Sequence, residues 1–294
     1  MTAGYLERLA ARSAATGTVL CLGLDPDPEA LPPGFTRDAA GIERFARLIL
    51  DASLPYAAAV KPNLAFYEAF GAAGIAALER LRAAIPPDVP VLLDAKRADI
   101  GTTSARQAAA LFDALGADAV TVNPYLGEAA IEPLLERLDR FAYVVCRTSN
   151  PGAGELQALE VAADPDIGAP IEPLWARVAR RAAGWGPGGT VGLVVGATAP
   201  TELAAIRALV RETAFLVPGV GAQGGEIATV LGNGPATAPP TGGRPGGGLL
   251  VNISRAIARA AFERDGGPDG VPSDPGERLA RAAQEWSAKL PVLR

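Results

Sequence analysis

The chain has 294 residues, 49% of them hydrophobic, which allows a substantial core and argues against intrinsic disorder. A formal net charge of -5 gives no general attraction to nucleic acid or to an anionic membrane, so any bound phosphate must be held by a local site. The sequence contains no histidine and only two cysteines, which excludes His-based catalytic triads and a disulfide framework.

The N-terminal segment does not have the pattern of a signal peptide. Glu7, Arg8 and Arg12 interrupt what would have to be an apolar core. No run approaches the roughly 18 apolar residues of a membrane span. We therefore expect a cytoplasmic protein, and we expect Cys21 and Cys146, which lie in apolar runs, to be buried free thiols.

Brief apolar runs, typical of parallel strands buried on both faces, alternate with amphipathic stretches along the chain. The predicted strands are Thr18–Leu24, Ala57–Lys61, Val89–Lys96, Ala119–Asn123, Ala142–Arg147, Thr190–Gly196, Ala214–Pro218 and Gly248–Ile253. Between them, apolar residues recur at helical spacing. The five groups are Ile42, Phe45, Leu48 and Ile49 (with Asp38 as a cap); Leu78, Leu81 and Ile85; Ile131, Leu134, Leu135 and Leu138; Leu174, Trp175 and Val178; and Leu203, Ile206, Leu209 and Val210.

Eight β/α repeats predict a TIM (β/α)8 barrel that forms a single domain over residues 1–294. The first strand is not followed by a GxGxxG motif, which weakens the alternative of an open dinucleotide-binding sheet. Residues 233–248 are rich in Gly, Pro and Thr and are predicted to be a mobile insertion between strands seven and eight. A loop over Asp265–Ser273 and a last helix over Pro275–Leu290 complete the prediction.

The third predicted strand ends in a cluster of charges. Strand side chains alternate with period two, so Asp94 and Lys96 should both stand at the mouth of the barrel. Asp99 follows just beyond the strand, and Lys61 ends the neighbouring second strand. A strand-end salt bridge needs only two groups, so the expected convergence of two lysines and two aspartates favours a catalytic site.

The segment Asp94-Ala-Lys96-Arg-Ala-Asp99-Ile-Gly-Thr-Thr103 resembles the Asp-x-Lys-x-x-Asp signature of the orotidine 5'-phosphate decarboxylases, and most of all their long bacterial type 2 subgroup. Sugar-phosphate enzymes of the same superfamily share this signature. Five further matches stand at the ends of other predicted strands in the expected order. They are Leu22-Gly-Leu-Asp25-Pro, Val60-Lys61-Pro-Asn63, Ser149-Asn-Pro-Gly-Ala153, Pro218-Gly-Val-Gly221-Ala-Gln223-Gly-Gly and Asn252-Ile-Ser254-Arg255.

Taken singly, these five segments have simpler interpretations as turns, a polar loop or surface charges. One of them departs from the family pattern, because Ser254 stands where the family often has glycine. A backbone N–H survives that change, so only the local packing is put in doubt.

The resemblance implies decarboxylation of orotidine 5'-phosphate to UMP and CO2, the last step of UMP biosynthesis, without metal or organic cofactor. It makes Lys96 the proton donor to C6 of the pyrimidine, with Asp94 beside the departing carboxylate and Lys61 balancing its charge. Asp99 and Thr103 would reach into the site of a second subunit, which implies a homodimer with shared active sites. The implied substrate contacts are Asp25 and Lys61 with the ribose, Ser149 with the base, the loop of Pro218, Gly221 and Gln223 with base and phosphate, and Ser254 and Arg255 with the phosphate.

Two other functions remain open at this point. A metal-dependent sugar-phosphate synthase or decarboxylase of the same superfamily would share the charged signature, but Ser149 and Gln223 resemble base-recognition residues and argue against it. A non-catalytic nucleotide-binding barrel would be expected to lack part of the charged tetrad, and all four members are present. Magnesium dependence of activity would distinguish the first alternative.

Overall fold

The computed structural model describes residues 3–221, 224–262 and 274–293 and contains all eight predicted strands. They are β1 (Leu20–Leu24), β2 (Ala59–Pro62), β3 (Leu92–Arg97), β4 (Ala119–Val122), β5 (Phe141–Arg147), β6 (Val191–Val195), β7 (Ala214–Val217) and β8 (Leu250–Ile253). The short apolar runs thus form strands as predicted, because strands covered on both faces need no alternation of polar residues.

The eight strands form one parallel sheet in the spatial order β2-β1-β8-β7-β6-β5-β4-β3. Two parallel bridges, Val60 with Val91 and Asn63 with Asp94, join β2 to β3 and close the ring. The predicted single-domain TIM barrel is confirmed. Because every strand points the same way, the carboxyl ends of all eight strands lie at one face of the barrel.

Helices surround the barrel and connect its strands. They are α1 (Tyr5–Thr16), α2 (Ala39–Ser53), α3 (Leu64–Glu68), α4 (Gly71–Ala83), α5 (Gly101–Ala108), α6 (Glu132–Leu135), α7 (Gly154–Gln157), α8 (Leu174–Ala183), α9 (Pro200–Leu209), α10 (Ile227–Asn233), α11 (Arg255–Ala258) and α12 (Pro275–Lys289). A two-residue antiparallel pair, Glu160–Val161 with Glu172–Pro173, lies before α8. The predicted last helix is confirmed, whereas the predicted loop over Asp265–Ser273 lies outside the described residues.

Most of the predicted helix faces are buried. In α2, the Asp38 side chain accepts a hydrogen bond of 2.8 Å from the Gly41 N–H and so caps the helix as predicted. The prediction for Leu138 was wrong: α6 ends at Leu135, and Leu138 is 71% exposed. In α8, alanines rather than the predicted larger residues are fully buried, because a small side chain lets a helix pack closely on the sheet.

The interior of the barrel is filled from the amino-terminal end. Leu6, Leu9 and Tyr5 of α1 pack beneath the strands, and the Tyr5 ring stacks on Phe141 with a centroid distance of 4.9 Å. The Tyr5 hydroxyl lies 3.2 Å from the hydroxyl of Tyr143. Helix α1 therefore closes the amino-terminal face and leaves the opposite face for the entry of a ligand.

Both cysteines are buried and free, as predicted. Cys21 belongs to the cluster inside the barrel, whereas Cys146 belongs to the core outside it. Burial raises the pKa of Cys21 to about 12, so this thiol stays protonated and is not a nucleophile at neutral pH.

A buried carboxylate organises the amino-terminal face. Asp118, 3% exposed, accepts hydrogen bonds from Arg8 of α1 at 2.8 Å and from Arg140 at 3.1 Å. Its other oxygen accepts the Val91 N–H at 2.8 Å, immediately before β3. Asp118 therefore connects α1 to the start of the strand that carries the charged cluster.

Residues 233–248 were predicted to be mobile, but the structure shows them packed against the barrel. Arg207, 5% exposed, donates to the carbonyl oxygens of Asn233 and Gly234 and lies 3.7 Å above the Phe215 ring. Thr241 is 2% exposed. The Gly and Pro content reflects close packing of the backbone, with Gly246 to Gly248 all buried and all in left-handed conformations.

Helix length and hydropathy were also assessed for membrane insertion. Within residues 3–221, 224–262 and 274–293, no helix is both long enough and apolar enough to cross a membrane.

Replacement of Asp118 tests the amino-terminal network. Asp118→Ala leaves the Val91 N–H without its acceptor and two arginines without their carboxylate, so we expect a loss of about 3 kcal/mol in the free energy of unfolding. Urea denaturation followed by circular dichroism measures it. The matched control is Asp113→Ala, which removes an exposed ion pair with Arg137 and should change the stability little. Equal stability of the two variants would contradict the structural role of Asp118.

Candidate active site

Most of the predicted site residues meet in one cavity at the carboxyl ends of the strands. The cavity has a volume of about 240 Å³. The predicted residues that line it are Asp25, Lys61, Asp94, Ser149, Pro218, Ser254 and Arg255. They lie at the carboxyl ends of β2 and β3 or just beyond those of β1, β5, β7 and β8, so the barrel closure brings together residues that are far apart in the sequence.

A second cavity of about 220 Å³ adjoins the first and shares Lys61, Asp94, Ser149 and Pro218 with it. Lys96 lines only this second cavity, together with Thr121 and three apolar side chains, Val145, Val194 and Leu216. The combined space thus has a polar end near Arg255 and a more apolar end near Lys96. A ligand that spans both would carry its anionic group and its reacting group at opposite ends.

The Asp94 carboxylate joins two lysines at the boundary between the cavities. Its Oδ2 lies 3.0 Å from the Lys61 Nζ, and its Oδ1 lies 2.5 Å from the Lys96 Nζ. The Lys61 side chain is buried, with 4% exposed, whereas that of Lys96 is 52% exposed. Lys61 lines both cavities although its side chain is largely buried, and the ammonium of Lys96 is the more exposed of the two.

The opposite charges in this cluster stabilise the ionised forms of one another. Burial by itself would raise the pKa of the Asp94 carboxyl, but the ammonium groups of Lys61 and Lys96 outweigh it and hold that pKa well below its usual value. For Lys61, burial favours the neutral amine, but Asp25 and Asp94 raise the net pKa above its usual value. Both groups are therefore ionised at neutral pH.

The backbone at Lys96 departs from a regular strand. The sequence predicted simple alternation, but Lys96 has φ 47°, which makes it the one non-glycine residue with positive φ in the described chain. The pairing of β3 with β4 shifts register between Leu93 and Arg97. This is a β-bulge, which re-aims a side chain at a strand end. Asp94 and Lys96 still face one cavity, but they do so through the bulge.

Within one chain, the structure brings together three of the four charged groups that the sequence predicted to converge. The Asp99 side chain accepts a hydrogen bond of 2.7 Å from the Ile100 N–H and forms no ion pair with any residue that the structure describes. Thr103 is exposed and lies along a different groove, beside Arg106 of α5. The strand ends before Asp99, and the chain there turns away from the barrel axis into α5. One chain therefore assembles Lys61, Asp94 and Lys96 but not Asp99.

Two buried oxygens in the site lack a protein partner among the described residues. These are Oδ1 of Asp25, at the end of β1, and Oδ1 of Asn252, in β8, and both residues line the first cavity. A buried acceptor without a partner is costly, so such atoms indicate where a ligand donates hydrogen bonds. Asn252 was not predicted as a site residue, although it opens the segment matched after β8.

The loop after β7 gives the site a wall of backbone. Gly219 and Gly221 have φ of 95° and 80°, which residues with side chains rarely adopt. The first cavity is lined by Pro218 and Gly219, whereas Gly221 does not line it, and a Cβ at Gly221 would lie 3.0 Å from the Trp286 ring. Gln223, the predicted base and phosphate contact, lies outside the described residues.

The wall after β8 packs tightly against β1. A Cβ on Gly23 would lie 2.5 Å from the Ser254 Cβ, so the serine found in place of the family glycine is accommodated by a glycine opposite. Arg255 is exposed and forms no ion pair within the described part of the chain. Its guanidinium is thus available to an anion at the polar end of the site.

No group of three or more His, Cys, Asp and Glu side chains in the described ranges is arranged to hold a metal ion. The carboxylates of the site are engaged differently: Asp94 is neutralised by two lysines. The arrangement is suited to holding an anionic ligand next to a protonated amine.

Comparison with known proteins assigns the family. A model of the orotidine 5'-phosphate decarboxylase / HUMPS family matches residues 18–265. The chain is 49% identical over 259 residues to an orotidine 5'-phosphate decarboxylase of Thermomicrobium roseum, with 87% of each chain covered. Its fold matches the Leishmania donovani OMP decarboxylase with a TM-score of 0.78 and 36% identity, over 98% of this chain and 99% of that one.

A second structural match is to a longer protein. The Leishmania donovani UMP synthase superimposes with a TM-score of 0.80 and 38% identity over 98% of this chain, which spans 56% of that protein. The match of the family model and the identity to these relatives show that the chain belongs to the orotidine 5'-phosphate decarboxylase / HUMPS family and is a carboxy-lyase of pyrimidine biosynthesis that decarboxylates orotidine 5'-phosphate.

Proposed function

We propose that Lys96 is the proton donor of this decarboxylation and that Asp94 and Lys61 hold it in place. The observation that carries the proposal is the Asp94 carboxylate between two ammonium groups, of which that of Lys96 is half exposed and that of Lys61 is largely buried. Loss of CO2 leaves the electron pair of the broken bond on C6 of the pyrimidine. A proton from the Lys96 ammonium forms the new C6–H bond and leaves a neutral amine.

The ammonium also stabilises charge before it transfers the proton. Negative charge develops at C6 as the C–C bond lengthens, and a positive group fixed nearby lowers the energy of that transition state. Because Asp94 and Lys61 form an ion pair in a mostly buried setting, the site can keep Lys96 positioned without a further reorganisation cost. Lys61 neutralises the charge of Asp94 that would otherwise repel the substrate carboxylate.

The remaining site residues bind the substrate. The unpaired Oδ1 of Asp25 would accept a ribose hydroxyl, with Lys61 nearby, and Ser149, which lines both cavities, would contact the base. Arg255 and the backbone at Ser254 would hold the phosphate at the opposite end from Lys96. Pro218, Gly221 and Gln223 belong to the loop that would close over base and phosphate. Phosphate binding far from C6 can then contribute to catalysis by driving this closure.

We further propose a homodimer in which Asp99 and Thr103 complete the partner's site. Asp99 makes no contact with the lysines of its own chain, although the family signature places it in the active site. Large apolar side chains stand exposed after β3 and β4: Ile100 is 69% exposed, Tyr125 83% and Leu126 58%. Exposed apolar side chains beside a site residue favour burial by a second subunit at this face.

Among the residues that the structure describes, no cluster of metal-ligating side chains favours the metal-dependent sugar-phosphate alternative. Residues 1–294 are proposed to form one catalytic domain with an insertion at 233–248, and activity is proposed to need no metal or organic cofactor. A cytoplasmic location stays a prediction.

The first test follows the loss of orotidine 5'-phosphate absorbance in excess EDTA. Wild-type protein should convert the substrate to UMP without metal, and Lys96→Ala should reduce kcat by about 10⁴-fold because both the proton and the positive charge are lost. Thermal unfolding of the variant controls for misfolding. Full activity of a folded Lys96→Ala protein would refute Lys96 as the donor, and a requirement for magnesium would revive the sugar-phosphate alternative.

The second test mixes two inactive variants. Asp99→Ala and Lys96→Ala each disable every site of a homodimer with shared sites, but a hybrid dimer carries both mutations in one site and neither in the other. We therefore expect activity to return to about a quarter of wild type when subunits exchange at equal concentration. The matched control, Asp51→Ala in place of Asp99→Ala, removes an exposed carboxylate of α2 and should be active alone. Absence of rescue despite demonstrated exchange would exclude shared sites.

A further inference from the structure

We propose that Thr121 is a positioning residue of the active site, because its single hydroxyl group holds both the Asp94 carboxylate and the bulged backbone that carries Lys96. The inference rests on the proposed role of Lys96 as proton donor. Thr121 belongs to β4, outside the charged signature, and its hydroxyl proton is donated to Asp94.

The hydroxyl of Thr121 makes three hydrogen bonds. It donates its proton to Asp94 Oδ1 over 2.8 Å, and it accepts the N–H groups of Ala95 and Lys96 over 3.0 and 2.9 Å. One donor and two acceptor lone pairs are the full capacity of a hydroxyl. Thr121 is 1% exposed, so water does not replace any of these partners readily.

Two consecutive N–H groups converge on one oxygen only if the strand is distorted. In a regular strand, successive N–H groups point to opposite sides, so Ala95 and Lys96 could not share an acceptor. The positive φ of Lys96 and the register shift beside it produce the convergence. A left-handed conformation at a residue with a side chain persists only where its surroundings compensate for it. The Thr121 oxygen supplies that compensation.

The same hydroxyl also sets the orientation of Asp94. Oδ1 of Asp94 accepts hydrogen bonds from the Thr121 hydroxyl and the Lys96 ammonium, and Oδ2 accepts one from the Lys61 ammonium. Rotation of the carboxylate would break the Thr121 bond, so the hydroxyl keeps the two oxygens assigned to the two lysines. Thr121 therefore restrains Lys96 in two ways: through the backbone N–H of Lys96 and through Asp94, the ion-pair partner of Lys96.

This arrangement predicts an effect on turnover more than on substrate binding. The phosphate end of the site, at Ser254 and Arg255, lies in the other cavity, which Thr121 does not line. Loss of the hydroxyl should leave the binding contacts in place and misplace the ammonium at C6. Misplacement of a reacting group by about 1 Å can cost 10²-fold in rate.

The test compares Thr121→Val, which keeps the shape and removes the hydroxyl, with Thr121→Ser, which keeps the hydroxyl. We expect Thr121→Val to lower kcat by about 10²-fold with KM changed by less than about threefold, and Thr121→Ser to retain kcat within about threefold of wild type. The matched control is Thr190→Val. Thr190 is equally buried, but it precedes β6 at the amino-terminal face and its hydroxyl has no partner within the described residues, so this variant should keep full activity.

Each result decides the inference. The inference would be overturned if a folded Thr121→Val protein had the wild-type kcat, or if Thr121→Ser were as impaired as Thr121→Val. It would also be overturned if Thr190→Val lost as much kcat as Thr121→Val. Lys96→Ala in the same assay separates failure of the proposed proton donor from failure of the Thr121 role. Full activity of Lys96→Ala would overturn the proposed donor. An inactive Lys96→Ala together with a fully active Thr121→Val would overturn only the role of Thr121. If Thr121→Val does not fold, Thr121→Ala removes the hydroxyl without placing a methyl group against the polar atoms and is judged by the same criteria.

Discussion

The ion pairing of one carboxylate with two ammonium groups is the interaction on which the site depends. Lys61 is almost fully buried, and an isolated ammonium there would lose its charge. Asp94 keeps it charged and at the same time holds Lys96 at the edge of the cavity. The Lys61–Asp94 pair requires the ends of β2 and β3 to be neighbours, so the chemistry depends directly on the closure of the barrel between these strands.

The barrel separates this costly polar cluster from the features that stabilise the fold. At the amino-terminal face, α1 fills the interior with Tyr5 and its apolar neighbours, and Asp118 connects this helix to the start of β3. At the carboxyl face, the interior is left open and polar atoms such as Asp25 Oδ1 lack a protein partner among the described residues. The closed end can thus support a strained bulge and buried charges at the open end.

The sequence-based predictions were correct for features set by residues close together in the chain and failed for features set by distant residues. The eight strands were predictable because each is a short apolar run, and the cap at Asp38 because it depends on three neighbouring residues. The burial of Leu138 was wrongly predicted because helical spacing does not show where a helix ends. The packing of the insertion at 233–248 could not be predicted from its Gly- and Pro-rich composition, because it depends on hydrogen bonds from Arg207 of α9.

By itself, the sequence determined the class of fold, the order of the strands and the residue types available at each strand end, because periodicity and composition are local properties. It also indicated that Asp94, Lys96 and Lys61 would meet, since they end neighbouring strands. Only the tertiary structure decided that Lys96 sits on a bulge, that Thr121 supports it from the next strand, and that Asp99 turns away from its own site. Those outcomes depend on hydrogen bonds and strand register between segments that are distant in the chain, and no local pattern encodes them.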